Sequence, residues 1–333
     1  MAQTIVTIPE IVSKRPRGYL SAGRVIIGAI LGVVAMILAF RGADIHVVWK
    51  AIEAVDWRLA FLGFLSVGLG IAAVASRWWL LFYPDHERRS WLNLVRGVIV
   101  GQSVNLLLPA RLGEVARIYF TGLAERISKT RVLSTIIVER VTDTAAMALG
   151  IVILVLTMSV PVWMKNSGIT FVILAIGVVV VAGALSLWGE AVVSHFERTR
   201  RIGHRIIAGV RATLTAFHSL RSWRVSAGAG ALAVLILGCS VLTNYLLIAA
   251  MGIHVPMIAS LFLLIVLRVG AAPPSLPGRL GVFHYLVVLA LSFFGVDRSL
   301  ALACAFLIYA VVVLPVLACG IILGASSWPT RDA

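Results

Sequence analysis

Glu139, Arg140 and Asp143 lie inside one apolar stretch of this chain. Glu139 and Asp143 are four residues apart and share a helix face, and Arg140 precedes Asp143 by three. A charge at the centre of a bilayer costs about 2.5–3.5 kcal/mol on insertion scales, so such residues are either paired or retained for function. Two Pro/Gly breaks carry the other intramembrane charges. Pro109-Ala110-Arg111-Leu112-Gly113 is followed by Glu114 and preceded by Asn105. Pro277-Gly278-Arg279-Leu280-Gly281 follows Arg268. Both breaks read Pro-x-Arg-Leu-Gly. A helix that restarts at such a break presents free backbone N–H groups and the positive end of its dipole. A neighbouring arginine adds a planar fork that matches phosphate, and glycine lets a ligand approach the backbone. Arg111, Arg279, Asn105, Gly113, Gly281 and Arg77 are therefore the expected contacts of an anionic headgroup. Glu114, Glu139, Arg140 and Asp143 are expected to gate or couple movement. A plainer reading stands beside this one. Arg111 would pair with Glu114, and Arg140 with Glu139 or Asp143, only to neutralise burial. Arg77, next to Trp78 and Trp79, would snorkel to the interface.

Catalytic signatures are missing. The seven histidines form no His-Glu-x-x-His pair, and there is no phosphate-binding Walker loop or Gly-x-Ser-x-Gly elbow. The expectation is a chain that is not an enzyme and carries no metal and no cofactor. Cys239, Cys304 and Cys319 fall in apolar runs without disulfide or zinc spacing and read as small packing residues.

The elements that position these residues are set by hydropathy. Of the 333 residues, 60% are hydrophobic, against about 45–50% in a soluble domain, so the excess must face lipid. Six segments reach the roughly 20 apolar residues a spanning helix needs: 24–41, 59–83, 132–157, 169–188, 227–251 and 299–325. The first follows Lys14, Arg15, Arg17 and Arg24 and lacks a clear small-x-small cleavage site, so a retained signal-anchor helix is expected. Regions 91–127 and 257–294 are apolar but broken. The chain thus parses twice as helix, helix, broken hairpin, helix. An N-terminal tail covers 1–19, a first repeat 20–160 with a re-entrant hairpin at 91–127, and a second repeat 165–326 with a hairpin at 257–294. Three full spans per repeat is an odd number, so the second repeat is inverted, an architecture that recurs in transporters.

The net charge of +15 has the same explanation. Its bases sit between apolar runs, which points to cytoplasmic loops and anionic lipid rather than nucleic acid. With the N-terminus inside and both hairpins re-entrant, regions 84–131 and 189–226 bring most arginines to the cytoplasmic side, and both termini lie there. Ile202, Ile206, Val210, Leu214 and Phe217 recur at helical spacing within 189–226. This segment reads either as an amphipathic helix on the inner leaflet or as a surface connector.

The run Asn105-x-x-x-Pro109-Ala110-Arg111-x-Gly113-Glu114-x-x-Arg117, followed by Glu139-Arg140-x-x-Asp143, resembles the lysylphosphatidylglycerol synthase transmembrane-region family. The Arg77-Trp78 pair and the stretch from Pro274-Ser275 to Gly281-Val282 fit it too, and the likeness extends from about 20 to 326. The resemblance implies translocation of lipid between leaflets. Relatives that also aminoacylate lipid carry a soluble transfer domain, so that activity is not expected here. The family often has an acidic residue shortly after the second Gly-Val, where this chain has Phe283-His284; the resemblance therefore adds His284 to the gating or coupling set.

The expected protein is an all-α polytopic membrane protein of the cell membrane. It is built as two inverted repeats, each of three spanning helices plus a broken re-entrant hairpin, and acts as a flippase-like transporter of a phospholipid or other anionic-headed lipid. Alternatives are a carrier of polyprenyl-phosphate-linked or hopanoid-type lipids, a membrane subunit scaffolding a lipid-modifying enzyme, and an intramembrane lipid transferase. Expected partners are membrane lipids, with a second copy of the chain or a lipid-modifying enzyme as protein partners.

Overall fold

The computed structural model describes residues 22–108, 112–159, 162–198, 214, 217, 221–270 and 277–326. These residues form helices and short turns, with no strand among them. The first half comprises α1 (Ala22–Phe40), α2 (Ile45–Glu53), α3 (Trp57–Leu80), α4 (Trp91–Leu107), α5 (Gly113–Ala124) and α6 (Lys129–Thr157). The second comprises α7 (Val162–Arg198), α8 (Trp223–Ala250), α9 (Met257–Gly270), α10 (Val282–Ser292), α11 (Arg298–Ile308) and α12 (Leu314–Ser326). One π-turn, Tyr309–Val313, joins α11 to α12.

Polar caps mark where several helices begin, because the first N–H groups of a helix have no partner within it. Asp56 accepts from the backbone N–H of Arg58 and Leu59 at the start of α3. Ser90 accepts from Asn93 in α4, and Ser128 from Arg131 in α6. Asp297 accepts from Ser299 and Leu300 in α11.

Five segments are long and apolar enough to cross a membrane: Trp57–Leu80, Lys129–Thr157, Met164–Trp188, Trp223–Ala250 and Arg298–Gly324. The sixth expected span behaves differently. The 19 residues of α1 rise about 28 Å at 1.5 Å per residue, slightly short of a bilayer core of about 30 Å. Its described apolar part, Gly28–Phe40, qualifies only together with α2, against which it is bent by 82°. Among the described residues five segments, or six if the bent pair counts as one, thus have the length and composition to span, as in a multi-pass membrane protein. The helices of the two broken hairpins are shorter: 17 and 12 residues in α4 and α5, and 14 and 11 in α9 and α10.

Packing follows the apolar faces. The long helices α3 and α8 lie along each other, with Ser66 Oγ donating to the Cys239 carbonyl at 3.1 Å. Helix α4 packs on α12, while α9 packs on α6. The main core gathers Leu247, Ile248, Leu263, Leu291 and Leu302. A smaller core of Trp78, Phe82, Leu94, Val98 and Ile136 lies under the first hairpin. By contrast, α7 leaves Ile173, Leu174 and Val180 exposed, as expected of a lipid-facing helix.

Most of segment 189–226 lies outside the described residues. Two positions of its apolar stripe are described: Leu214 and Phe217 are both buried. Phe217 joins Leu81, Val138, Ala182 and Ala229 in a protein core.

Candidate functional site

The charges of the first half converge where α5 begins, just after the break of the first hairpin. Helix α6 carries Glu139, Arg140 and Asp143 near its start, the last turn of α3 carries Arg77, and the first turns of α5 carry Glu114 and Arg117. Arg117 grips Glu139 with both arms, at 3.1 Å from Nη1 to Oε1 and 2.8 Å from Nη2 to Oε2. Arg77 Nη2 reaches Asp143 at 2.7 Å and Glu139 at 3.5 Å. Arg140 bridges Glu114 at 2.8 Å and Asp143 at 3.4 Å. The result is an unbroken chain of alternating charge, Glu114–Arg140–Asp143–Arg77–Glu139–Arg117, that ties three helices together and sums to zero. Burial deepens along it: the side chain of Arg140 is 48% exposed, that of Asp143 24%, and that of Arg77 1%.

Breaking a buried ion pair by removing one partner costs about 3–5 kcal/mol, so Arg77, Glu139 and Arg117 at the buried end depend on one another, while the exposed Glu114–Arg140 link is worth little. An aromatic plate completes the inner end. The Arg117 guanidinium lies 3.6 Å above the Trp78 ring, and Trp78 Nε1 donates to Thr135 Oγ1 at 2.9 Å. Arg77 Nε and Nη1 and Arg117 Nε are buried without a hydrogen-bond partner among the described residues.

Several sequence expectations change here. Arg77 does not snorkel; it is among the largest fully buried side chains, because two carboxylates on α6 face it. Glu114 pairs with Arg140 of α6, a contact between helices that the sequence reading did not name. Arg111, with Pro109 and Ala110, lies outside the described residues. Arg117 was only part of a motif, yet it makes the two-armed contact to Glu139. Its signal was its position three residues after Glu114, on the same helix face. Trp78 and Thr135 carried no comparable signal, because their roles depend on α3 meeting α6.

The break glycines serve packing. Asn105 Oδ1 accepts from the Gly113 N–H at 2.8 Å, which caps α5. A Cβ on Gly113 would strike the Gly101 carbonyl of α4, so its bare Cα is what lets the two hairpin helices touch. A Cβ on Gly281 would likewise strike the Gly32 carbonyl of α1. At both glycines protein backbone lies on the side where a Cβ would project.

The second break is built differently. Gly278, Arg279 and Gly281 have φ of 72°, 57° and 83°, a left-handed path that turns the chain tightly before α10. Tyr309, at the π-turn, donates its hydroxyl to the Gly278 carbonyl at 3.1 Å. His284 follows in α10, buried against Phe306 and Tyr309 with ring centroids at 4.7 and 5.3 Å, and neither ring nitrogen has a hydrogen-bond partner among the described residues. Arg268 is exposed. The turn Pro277–Arg279 packs against α4, so the second break meets the first hairpin. Among the described residues no group of His, Cys, Asp and Glu is placed to hold a metal ion.

A family model described as the lysylphosphatidylglycerol synthase TM region matches residues 25–320, nearly the whole chain. No curated protein matches it. The chain belongs to the lysylphosphatidylglycerol synthase TM-region family.

Proposed function

We propose that this member of the lysylphosphatidylglycerol synthase TM-region family is a flippase-like transporter, not an enzyme, which moves an anionic-headed phospholipid between leaflets of the cell membrane. The family match supports a lipid-related role in the membrane. The observation that carries the reading is the meeting of the second break with α4, which brings one interrupted segment from each half of the chain together. Helix interruptions inside a membrane are tolerated where protein or a polar path surrounds them, and transporter sites cluster there.

The order of elements supports two repeats in inverted topology. In each half a long helix precedes a hairpin of two short helices, and another long helix follows. Contacts are exchanged in the same sense: α4 of the first hairpin packs on α12 of the second half, and α9 of the second hairpin packs on α6 of the first. Both termini would then lie in the cytoplasm.

In this mechanism Arg279, and Arg111 beyond the described residues, hold the headgroup phosphate. The ion chain does not supply that positive charge, because its three arginines are matched by three carboxylates. Its role is gating: Glu114 and Arg140, at the exposed end, join α5 to α6, and their separation frees the hairpin to shift. No ATP-binding motif is present in the sequence, so movement would be passive or driven by a gradient.

The test is the purified chain in liposomes carrying a fluorescent phospholipid in both leaflets, with an impermeant quencher outside. Quenching beyond the outer-leaflet half supports transport. Headgroup turnover would make the protein an enzyme, and neither signal would favour a scaffold. Arg279→Lys keeps the charge but loses the fork, and should lower transport roughly tenfold at unchanged melting temperature.

A further inference from the structure

The end of α3 nearest the first hairpin carries a cleft that the mechanism above does not use, about 520 Å³ in volume. That size suits a lipid headgroup with its glycerol. Trp79 and Trp91 form its aromatic walls, Leu80 and Leu232 its apolar floor, and Glu87 and Arg89 its charged rim. Because α3 is a spanning helix, its terminus marks the polar boundary of the membrane, where indole rings sit by preference. The cleft draws its lining from α3, from α4 with the turn before it, and from Leu232 of α8.

Its polar groups are held in place. Arg89 Nη1 donates to the Glu125 carbonyl at 3.2 Å, which leaves its buried Nε without a partner. Trp91 Nε1 donates to Ser76 Oγ at 3.1 Å, fixing the ring against α3. Glu87 forms no ion pair among the described residues, although Arg89 is only two positions away. A carboxylate and a guanidinium left unbridged on one rim suit a ligand that carries the opposite two charges. A purely anionic headgroup would meet repulsion at Glu87. A headgroup with an ammonium beyond its phosphate would satisfy both, with the indole faces adding cation–π attraction to the ammonium.

We propose that this cleft binds the headgroup of a zwitterionic phospholipid, its phosphate at Arg89 and its ammonium at Glu87 between Trp79 and Trp91. The apolar floor takes the start of an acyl chain, which selects a lipid over a water-soluble phosphoamine. The site is separate from the breaks and does not require lipid to cross the membrane.

The experiment uses the full chain in nanodiscs of equal phosphatidylethanolamine and phosphatidylglycerol, with retained lipid measured by native mass spectrometry. The wild type should retain phosphatidylethanolamine in excess. Glu87→Gln should cut that preference about threefold, the weight of a rim-exposed ion pair, while Arg89→Gln should lower retention of both lipids. Equal retention of the two lipids by the wild type, or unchanged ratios in both variants, would overturn the proposal. So would displacement of bound lipid by soluble glycerophosphoethanolamine. Liposome transport is read separately: selective retention without transport leaves this site standing while the flippase reading falls.

Discussion

At the first hairpin, α5 is fixed to its neighbours by ions, with Glu114 and Arg117 reaching Arg140 and Glu139 on α6, and Arg77 of α3 closing the chain. At the second hairpin, the corresponding helix α10 has no charged residue, and its one titratable group of that kind, His284, is packed among Phe306 and Tyr309. Both hairpins still rely on a glycine pressed against backbone, Gly113 on Gly101 and Gly281 on Gly32. The shared requirement is close packing of short helices that cannot span alone. What differs is the means of excluding water, by a complete ion network in one half and by aromatic burial in the other. The buried inner end of the network depends on every carboxylate that faces an arginine there, whereas α10 carries no charged side chain.

The sharpest way to break this contrast is Glu139→Gln. It would strand Arg117 and leave Arg77 with Asp143 alone, and should cost about 3–5 kcal/mol, read as a large fall in melting temperature in detergent. Wild-type melting of this variant would mean that the network is not what holds the first hairpin. Alanine at the two break glycines tests what the halves share. Gly113→Ala should cost about 1–3 kcal/mol by overpacking. Gly281→Ala should cost about 1 kcal/mol more, because its φ of 83° also disfavours a side chain. Equal melting temperatures for the two alanine variants would remove the backbone part of that argument. Smaller still is His284→Phe, which replaces a buried unpartnered ring by an apolar one of similar shape and should leave stability within about 1 kcal/mol of wild type, or raise it. A clear loss would show that the second half contains a polar contact as well.

The smallest effect concerns the helices that leave the hairpins. Ser128 caps α6, whereas Asp297 caps α11. The backbone N–H groups of Leu300 and Ser299 hold the Asp297 carboxyl below its ordinary range. A carboxyl depressed in the folded state contributes stability that is present above its unfolded pKa and lost as pH falls through the folded one. Lowering the pH from 6 through 4 to 3 should therefore reduce the melting temperature of the wild type more than that of Asp297→Asn. The full cap contributes about 1 kcal/mol, and the destabilisation caused by Ser128→Ala should be the same at each pH.

Five of the expected spans were legible because twenty apolar residues have one stable form in lipid, a helix with its backbone bonds internal. The hairpins were legible for a related reason, as proline and glycine interrupted runs too short to cross. Residues of the ion network were visible as charges where hydropathy forbids them, and Glu139 with Asp143 could be placed on one face from spacing alone. Their partners could not. Glu114 meets Arg140, twenty-six positions away. Arg77 looked like a residue of the interface until two carboxylates of α6 were found against it.

Composition, break motifs and charge spacing thus determined by themselves that the chain lives in the membrane, where it is interrupted, and which side chains must be neutralised. Each of those follows from the cost of placing one group in hydrocarbon, which is a property of the residue and its near neighbours. Which arginine meets which carboxylate, that Gly113 and Gly281 face backbone rather than an open path, and that the second break rests against α4 were decided by tertiary structure. Those outcomes depend on how whole helices cross, and contacts between distant segments leave no local period for the sequence to carry.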